Sequence, residues 1–137
     1  MNLQQLKTAS FSVKSSQLGA LLGLAAFIAY GIYGMVFDYF DFVVFLALLL
    51  GTVCAQTYVL VKKSQYLNLL SVVSHSFGLG LLFLNSYPVW ADWYGNFTMY
   101  GSRGGVAPVI LLILLTVLAI LCGMISCFTI KREDVNK

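Results

Sequence analysis

The single histidine of the chain, His75, lies within a long apolar run and shares one face of a predicted helix with other small or polar residues. These residues recur at close to heptad spacing, and they are Asn68, Ser71, His75, Gly78 and Asn85. Imidazole, amide and hydroxyl groups donate and accept hydrogen bonds, and an imidazole can also carry a proton. Because lipid leaves a polar group unpaired, this face must point toward other helices or toward another protein. We therefore predict an intramembrane polar interface in which neutral His75 is hydrogen-bonded, with a proton-relay or transport role as the alternative.

Candidate partners for this face lie in the preceding apolar run. Thr52 and Gln56 stand one helical turn apart there and can hydrogen-bond to the polar face. Small residues around them, such as Gly51 and Ala55, favour close approach of two helices inside a membrane. We therefore add Thr52 and Gln56 to the predicted interface.

The sequence does not supply the groups that catalysis or metal binding would need. No Asp, Glu, Lys or Arg lies within the apolar runs, so His75 has no acidic partner at membrane depth for a catalytic triad or a metal site. The three cysteines, Cys54, Cys122 and Cys127, form no CxxC pair and lie within the runs. We predict that the protein is not an enzyme, with no catalytic residues, no metal site and no cofactor.

The elements that position these residues follow from composition. Of 137 residues, 60% are hydrophobic and 9% are charged, whereas a soluble domain has about 25% charged residues. This composition excludes an intrinsically disordered chain, a nucleic-acid-binding protein and an ordinary soluble enzyme. A helix needs roughly 20 apolar residues to cross a bilayer, and four runs qualify: 18–37, 42–61, 66–85 and 106–128. We predict an all-α membrane protein with one domain, 1–137, whose four transmembrane helices form an up-down-up-down bundle.

Charge placement predicts the orientation of this bundle. Seven of the eight lysines and arginines fall on one side if the chain crosses four times: Lys7, Lys14, Lys62, Lys63, Lys131, Arg132 and Lys137. Only Arg103 falls on the other side, together with Asp38, Asp41 and Asp92. The positive-inside rule therefore places both termini in the cytoplasm, and we predict a multi-pass protein of the plasma membrane.

The turn between the first two predicted spans carries two acidic residues, Asp38 and Asp41. A carboxylate just before a helix accepts hydrogen bonds from its first backbone N–H groups. We therefore predict a capped tight hairpin here, with an acidic cation site at the outer mouth as the alternative.

The connection between the third and fourth spans, residues 86–105, is rich in aromatic residues. Pro88 suits the start of a helix, so we predict a short helix from Pro88 to Tyr94 that lies on the outer membrane interface. The alternative is a recognition surface, because aromatic faces flanked by polar groups bind sugars, peptides or partner subunits. Its candidate residues are Trp90, Asp92, Trp93, Tyr94, Asn96 and Arg103.

Three functional hypotheses follow. The first is an accessory, stabilising or regulatory subunit of a larger membrane complex such as a transporter. The alternative is a small oligomeric transporter or channel whose path is lined by the polar face of the third helix. An immunity or lipid-sensing protein fits the aromatic loop equally well. The expected partners are the lipid bilayer and either a larger membrane protein or further copies of the chain, and not nucleic acid.

Overall fold

A computed structural model describes residues 11–61, 65–96 and 105–135, with the side chains of the last segment described as far as residue 129. All regular secondary structure in these segments is α-helical. The helices are α1 (Phe11–Phe37), α2 (Phe42–Val61), α3 (Gln65–Asn85), α4 (Tyr87–Gly95) and α5 (Val106–Val135).

Four of these helices, α1, α2, α3 and α5, are long and apolar enough to cross a membrane. The four predicted spans are thus confirmed as helices. Two helices extend well beyond the predicted spans: α1 begins at Phe11 and not at Leu18, and α5 ends at Val135 and not at residue 128. The added turns of α1 contain Ser12 and Ser16, which lower the local hydropathy but are buried inside the bundle. The helix therefore continues seven residues before the predicted span.

Helices that follow one another along the chain pack side by side. Both α1 and α3 contact α2 and α5, so that the four long helices surround a shared interior. Helices α1 and α5 run in opposite directions, because Ser12 contacts Ser126 whereas the later residue Gly19 contacts the earlier residue Ala119. This antiparallel packing brings distant parts of the sequence to the same level of the bundle.

Glycines set the closest approaches between the long helices. A Cβ added at Gly19 would lie 3.2 Å from the backbone oxygen of Ala119, and one added at Gly123 would lie 2.7 Å from Cγ2 of Val72. A larger residue at either position would force the neighbouring atoms to move, and small residues at such contacts are common where membrane helices associate. The small-residue spacing in α1 and α5 therefore serves packing within the chain.

The side chains that fill the interior of the bundle differ between its two ends. Toward the end of the bundle that carries α4, called here the α4 end, large apolar and aromatic side chains fill the core: Tyr30, Tyr33, Val44, Leu48, Leu82, Val89, Val109 and Leu112. Toward the opposite end the buried residues include several hydroxyl side chains and the amide of Asn68. The candidate site lies in this polar part.

Candidate functional site

His75 lies between three helices and is 2% exposed. Its Nδ1 is 2.9 Å from the backbone oxygen of Ser71, one turn earlier on α3. A carbonyl oxygen can only accept, so Nδ1 carries the proton and Nε2 of the neutral ring is an acceptor. Among the described residues Nε2 has no hydrogen-bond partner. The ring is thus anchored on one side and presents an unpaired nitrogen on the other.

Two glycines form the walls against which this imidazole packs. A Cβ added at Gly23 of α1 would lie 2.5 Å from Nε2 and 3.0 Å from Oγ1 of Thr52. A Cβ added at Gly51 of α2 would lie 2.6 Å from Cε1 of the ring. The imidazole therefore occupies the space that side chains at these positions would fill, and it holds α1, α2 and α3 at a fixed separation.

Ser71 connects the same level of α3 to α2. Its hydroxyl donates to the backbone oxygen of Gly51 over 2.7 Å. This oxygen lies inside α2, so the bond from Ser71 is added to the hydrogen bonds of the helix itself. Such bonds between helices stabilise bundles in membranes by about 0.6 kcal/mol on average and up to about 1.7 kcal/mol each. Ser71 and His75 therefore join α3 to its neighbours as a unit.

Asn68 is the centre of a second set of contacts, two turns from His75. Its side chain is fully buried and accepts a hydrogen bond from Oγ of Ser16 over 3.2 Å. Its Nδ2 lies 3.3 Å from the backbone oxygen of Gly123 and 3.2 Å from Sγ of Cys127. One amide thus links α1, α3 and α5.

A third set, which the sequence analysis missed, lies at the start of α1. The hydroxyls of Ser12 and Ser126 are 3.0 Å apart, and Ser12 Oγ is 3.1 Å from the phenolic oxygen of Tyr58. Ser126 also donates to the backbone oxygen of Ser12. The sequence contains a pattern that indicates this set. Small residues follow one helical face at three- and four-residue spacing, and they are Ser12, Ser16, Gly19 and Gly23.

The remaining members of the predicted interface are dispersed. Thr52 is buried beside His75 but donates to the backbone oxygen of Leu48 within its own helix. Gly78 packs against Leu48 and Ala47. Gln56 is exposed, and the structure does not bring it to the His75 cluster. Consecutive residues of a helix point about 100° apart, and the buried face of α2 passes through Ala55, so Gln56 turns outward.

Asn85 belongs to a different site, at the α4 end. Its amide donates to Oδ2 of Asp41, while Oδ1 of the same carboxylate accepts the backbone N–H of Val43 over 2.7 Å. The prediction that Asp41 caps the second span is thus confirmed. Tyr30 adds a further bond, since its hydroxyl oxygen accepts the backbone N–H of Asp41 over 2.9 Å. Both carboxylate oxygens of Asp41 are engaged in these contacts, which favours the structural interpretation over a cation site.

The candidate recognition residues lie on and beside α4. Trp90 donates from Nε1 to Oγ of Ser86 over 2.9 Å, which attaches α4 to the end of α3. The ring of Trp93 stands edge to face against both Trp90 and Tyr94, with centroids 6.4 Å and 5.0 Å apart. Trp93 and Tyr94 are 57% and 81% exposed. The three rings therefore form one cluster that is anchored at Trp90 and open at Tyr94.

Two further predicted recognition residues lie in the second half of α4 and at its C-terminal cap. Asp92 is half-buried, and Asn96 is exposed. Asn96 adopts φ 53°, the left-handed conformation that ends α4, a position that asparagine tolerates better than most residues. Arg103 lies outside the described residues.

The chemistry available to the buried polar residues is hydrogen bonding between helices. The bonds of Ser12, Ser16, Asn68, Ser71 and His75 described above join these side chains to backbone oxygens, to the sulfur of Cys127 or to other neutral side chains. Comparison of the chain with models of protein families, with curated proteins and with solved structures finds no match.

Proposed function

We propose that this is a small non-catalytic membrane protein that acts as an accessory, stabilising or regulatory subunit of a larger membrane complex such as a transporter. The observation that carries this proposal is the aromatic cluster of Trp90, Trp93 and Tyr94 on α4. It is held by ring contacts and by the Trp90–Ser86 hydrogen bond, and its outer rings are largely exposed. Tryptophan and tyrosine are enriched among the residues that dominate binding energy at protein interfaces.

The buried hydrogen bonds are consistent with the same function. The polar face of α3 bonds to α1, α2 and α5 and thereby stabilises the chain itself. The bundle is then a rigid support for the aromatic cluster. Because a preformed surface loses little conformational freedom on binding, rigidity favours affinity.

The proposed arrangement in the bilayer is an up-down-up-down bundle in the plasma membrane with both termini in the cytoplasm. Its basis is the positive-inside rule applied to the lysine and arginine positions. In this arrangement α4 lies at the outer interface, where the amphipathic rings of tryptophan and tyrosine are favourable. A partner would then contact the cluster from the outer side of the membrane.

A crosslinking experiment tests the proposed surface. Photoreactive p-benzoylphenylalanine in place of Tyr94, introduced into the full chain in its native membrane, should crosslink to a larger membrane protein. Tyr66 is the matched control, because it is also an exposed tyrosine, at 82%, but lies at the start of α3, far from α4. The same group in place of Tyr66 should not form that crosslink.

The affinity for the partner should depend on the two exposed rings. Trp93→Ala and Tyr94→Ala should each reduce recovery of the crosslinked or co-purified partner about tenfold, since an aromatic anchor contributes more than about 1 kcal/mol. Equal crosslinking from both positions, or a protein that is recovered from its native membrane without a partner, would contradict the proposal.

The alternative is a small oligomeric transporter or channel, and one observation favours it. Nε2 of His75 has no hydrogen-bond partner among the described residues, and a passing polar solute could bind to this acceptor within the bundle. Solute flux into liposomes that contain the purified protein should then fall at least tenfold on His75→Ala. Flux that does not change on this substitution, or no flux above protein-free liposomes, would exclude the alternative.

A further inference from the structure

The outward side of α2 carries a regular apolar stripe that contains one amide. Residues on this side recur at alternating spacings of four and three and are all exposed; they are Phe42, Leu46, Leu49, Val53, Gln56 and Leu60. We call this surface the Gln56 face. Such spacing is the pattern by which two helices pack along a left-handed seam.

Gln56 lies within a helix that is suited to span a membrane, and its side chain is exposed on the outer surface of the bundle. It lies five residues before the end of α2 at Val61, which corresponds to about 7.5 Å of helix. Side chains on a helix lean toward its N-terminus, so the amide of Gln56 leans away from the nearer membrane surface. This geometry opposes the outward reach by which long polar side chains escape hydrocarbon.

The amide of Gln56 has no hydrogen-bond partner in the part of the chain that the structure describes. No hydrogen bond joins it to any described residue, whereas half-buried Thr57 beside it donates back to the backbone oxygen of Val53 over 2.7 Å. Lipid tails can neither donate nor accept, so an unpaired amide in hydrocarbon is unfavourable. A second helix with a complementary group at the same depth would satisfy it.

We propose that the Gln56 face is the interface for a second copy of this chain. Two copies inserted in the same orientation and related by a twofold axis along the membrane normal bring Gln56 of each to the same depth. A carboxamide has both an N–H donor and a carbonyl acceptor, so two of them form a reciprocal pair of hydrogen bonds. The leucine and valine side chains on either side of the pair pack across the axis. This proposal is independent of the function assigned to α4.

A single amide within an apolar seam also determines the register. Shifting one helix along the other would move each amide against leucine or valine, which leaves both amides unpaired. A lone polar residue in such a seam is known to specify register and the number of strands. The Gln56 face thus favours a dimer with one alignment.

The test is energy transfer between donor- and acceptor-labelled copies of the full chain in liposomes, measured while lipid is added to dilute the protein. The wild-type chain should show transfer that falls with dilution, as for a reversible dimer. Gln56→Leu should raise the apparent dissociation constant about 3- to 30-fold, the range expected for one interhelical polar pair in a membrane. Gln56→Asn keeps the amide and should retain most of the association.

Ser76→Ala is the matched control, because Ser76 is also polar and exposed but lies on α3. It should leave the dissociation constant unchanged, and circular dichroism should show equal helix content in every variant. Wild-type chains that are monomeric throughout the dilution, or a dimer that is indifferent to Gln56→Leu, would overturn the proposal. A third outcome would also overturn it: the chains do not associate with one another, and Gln56→Leu abolishes co-purification of a different membrane protein. The Gln56 face would then bind that protein and not a second copy.

Discussion

Replacing Gly51 by valine should lower the free energy of unfolding of the detergent-solubilised protein by about 3 kcal/mol, the upper part of the range for overpacked cores. The first side-chain carbon would overlap the imidazole of His75, at 2.6 Å from Cε1 and closer still to Nδ1. Nearby atoms must therefore move. Unfolding monitored by circular dichroism during titration with a denaturing detergent would measure the loss.

The imidazole has little freedom to move aside. Its Nδ1 is bonded to the backbone oxygen of Ser71, and on the opposite side the ring meets the backbone of α1 at Gly23. Displacement of the ring would break this hydrogen bond or push α1 away from α2. The substitution therefore strains three helices at once, which is why we expect an effect at the high end.

A glycine on the neighbouring helix provides the control. A Cβ added at Gly80 of α3 meets nothing within 4 Å, and Gly80 is exposed. Gly80→Val should therefore change the free energy of unfolding by no more than about 0.5 kcal/mol. Combining Gly51→Val with His75→Ala should recover part of the loss, because the ring that causes the overlap is removed. Equal effects of the two valine substitutions would contradict the packing described for His75.

Replacing Asn68 by alanine should produce the second large effect, a loss of about 2 to 3 kcal/mol in the free energy of unfolding. The amide links Ser16 of α1 to Gly123 and Cys127 of α5, and it is fully buried. Alanine would remove these bonds and leave a cavity at the centre of the polar half. Ser16 would also lose the acceptor of its hydroxyl.

Substitution of an exposed amide is the control for the general effect of losing a polar side chain. Gln56 makes no hydrogen bond to a described residue, so Gln56→Ala in dilute detergent, where chains are apart, should change the free energy of unfolding by less than about 0.5 kcal/mol. The same denaturing titration serves both variants. If Asn68→Ala were no more costly than Gln56→Ala, the central role of Asn68 would be wrong.

Much of the fold could be predicted because membrane helices are encoded locally. A run of about 20 apolar residues without charge has one favourable solution in a bilayer, so the four long helices follow from composition and length. The cap at Asp41 is also local, because the carboxylate acts on a backbone N–H two residues away. The first turns of α1 show the limit, because their buried serines resemble a polar segment outside the helix when hydropathy alone is considered.

The interaction partners of the polar residues could be predicted only in part. The heptad spacing of Asn68, Ser71 and His75 indicated that they share a face, and all three are buried. The same spacing also included Asn85, which bonds at the α4 end to Asp41 and takes no part in the cluster around His75. Periodicity reports a direction around one helix, but it does not report which residue of another helix stands opposite.

By itself, the amino-acid sequence determined that the protein is helical, that four helices are suited to a membrane, and which face of α3 is polar. These properties depend on interactions within about one helical turn and on transfer from water to lipid. Only the tertiary structure decided that His75 packs between Gly23 and Gly51, and that Gln56 turns away from it. The physical reason is that side-chain pairing between helices depends on their rotation and relative height, which arise from packing of all four helices together.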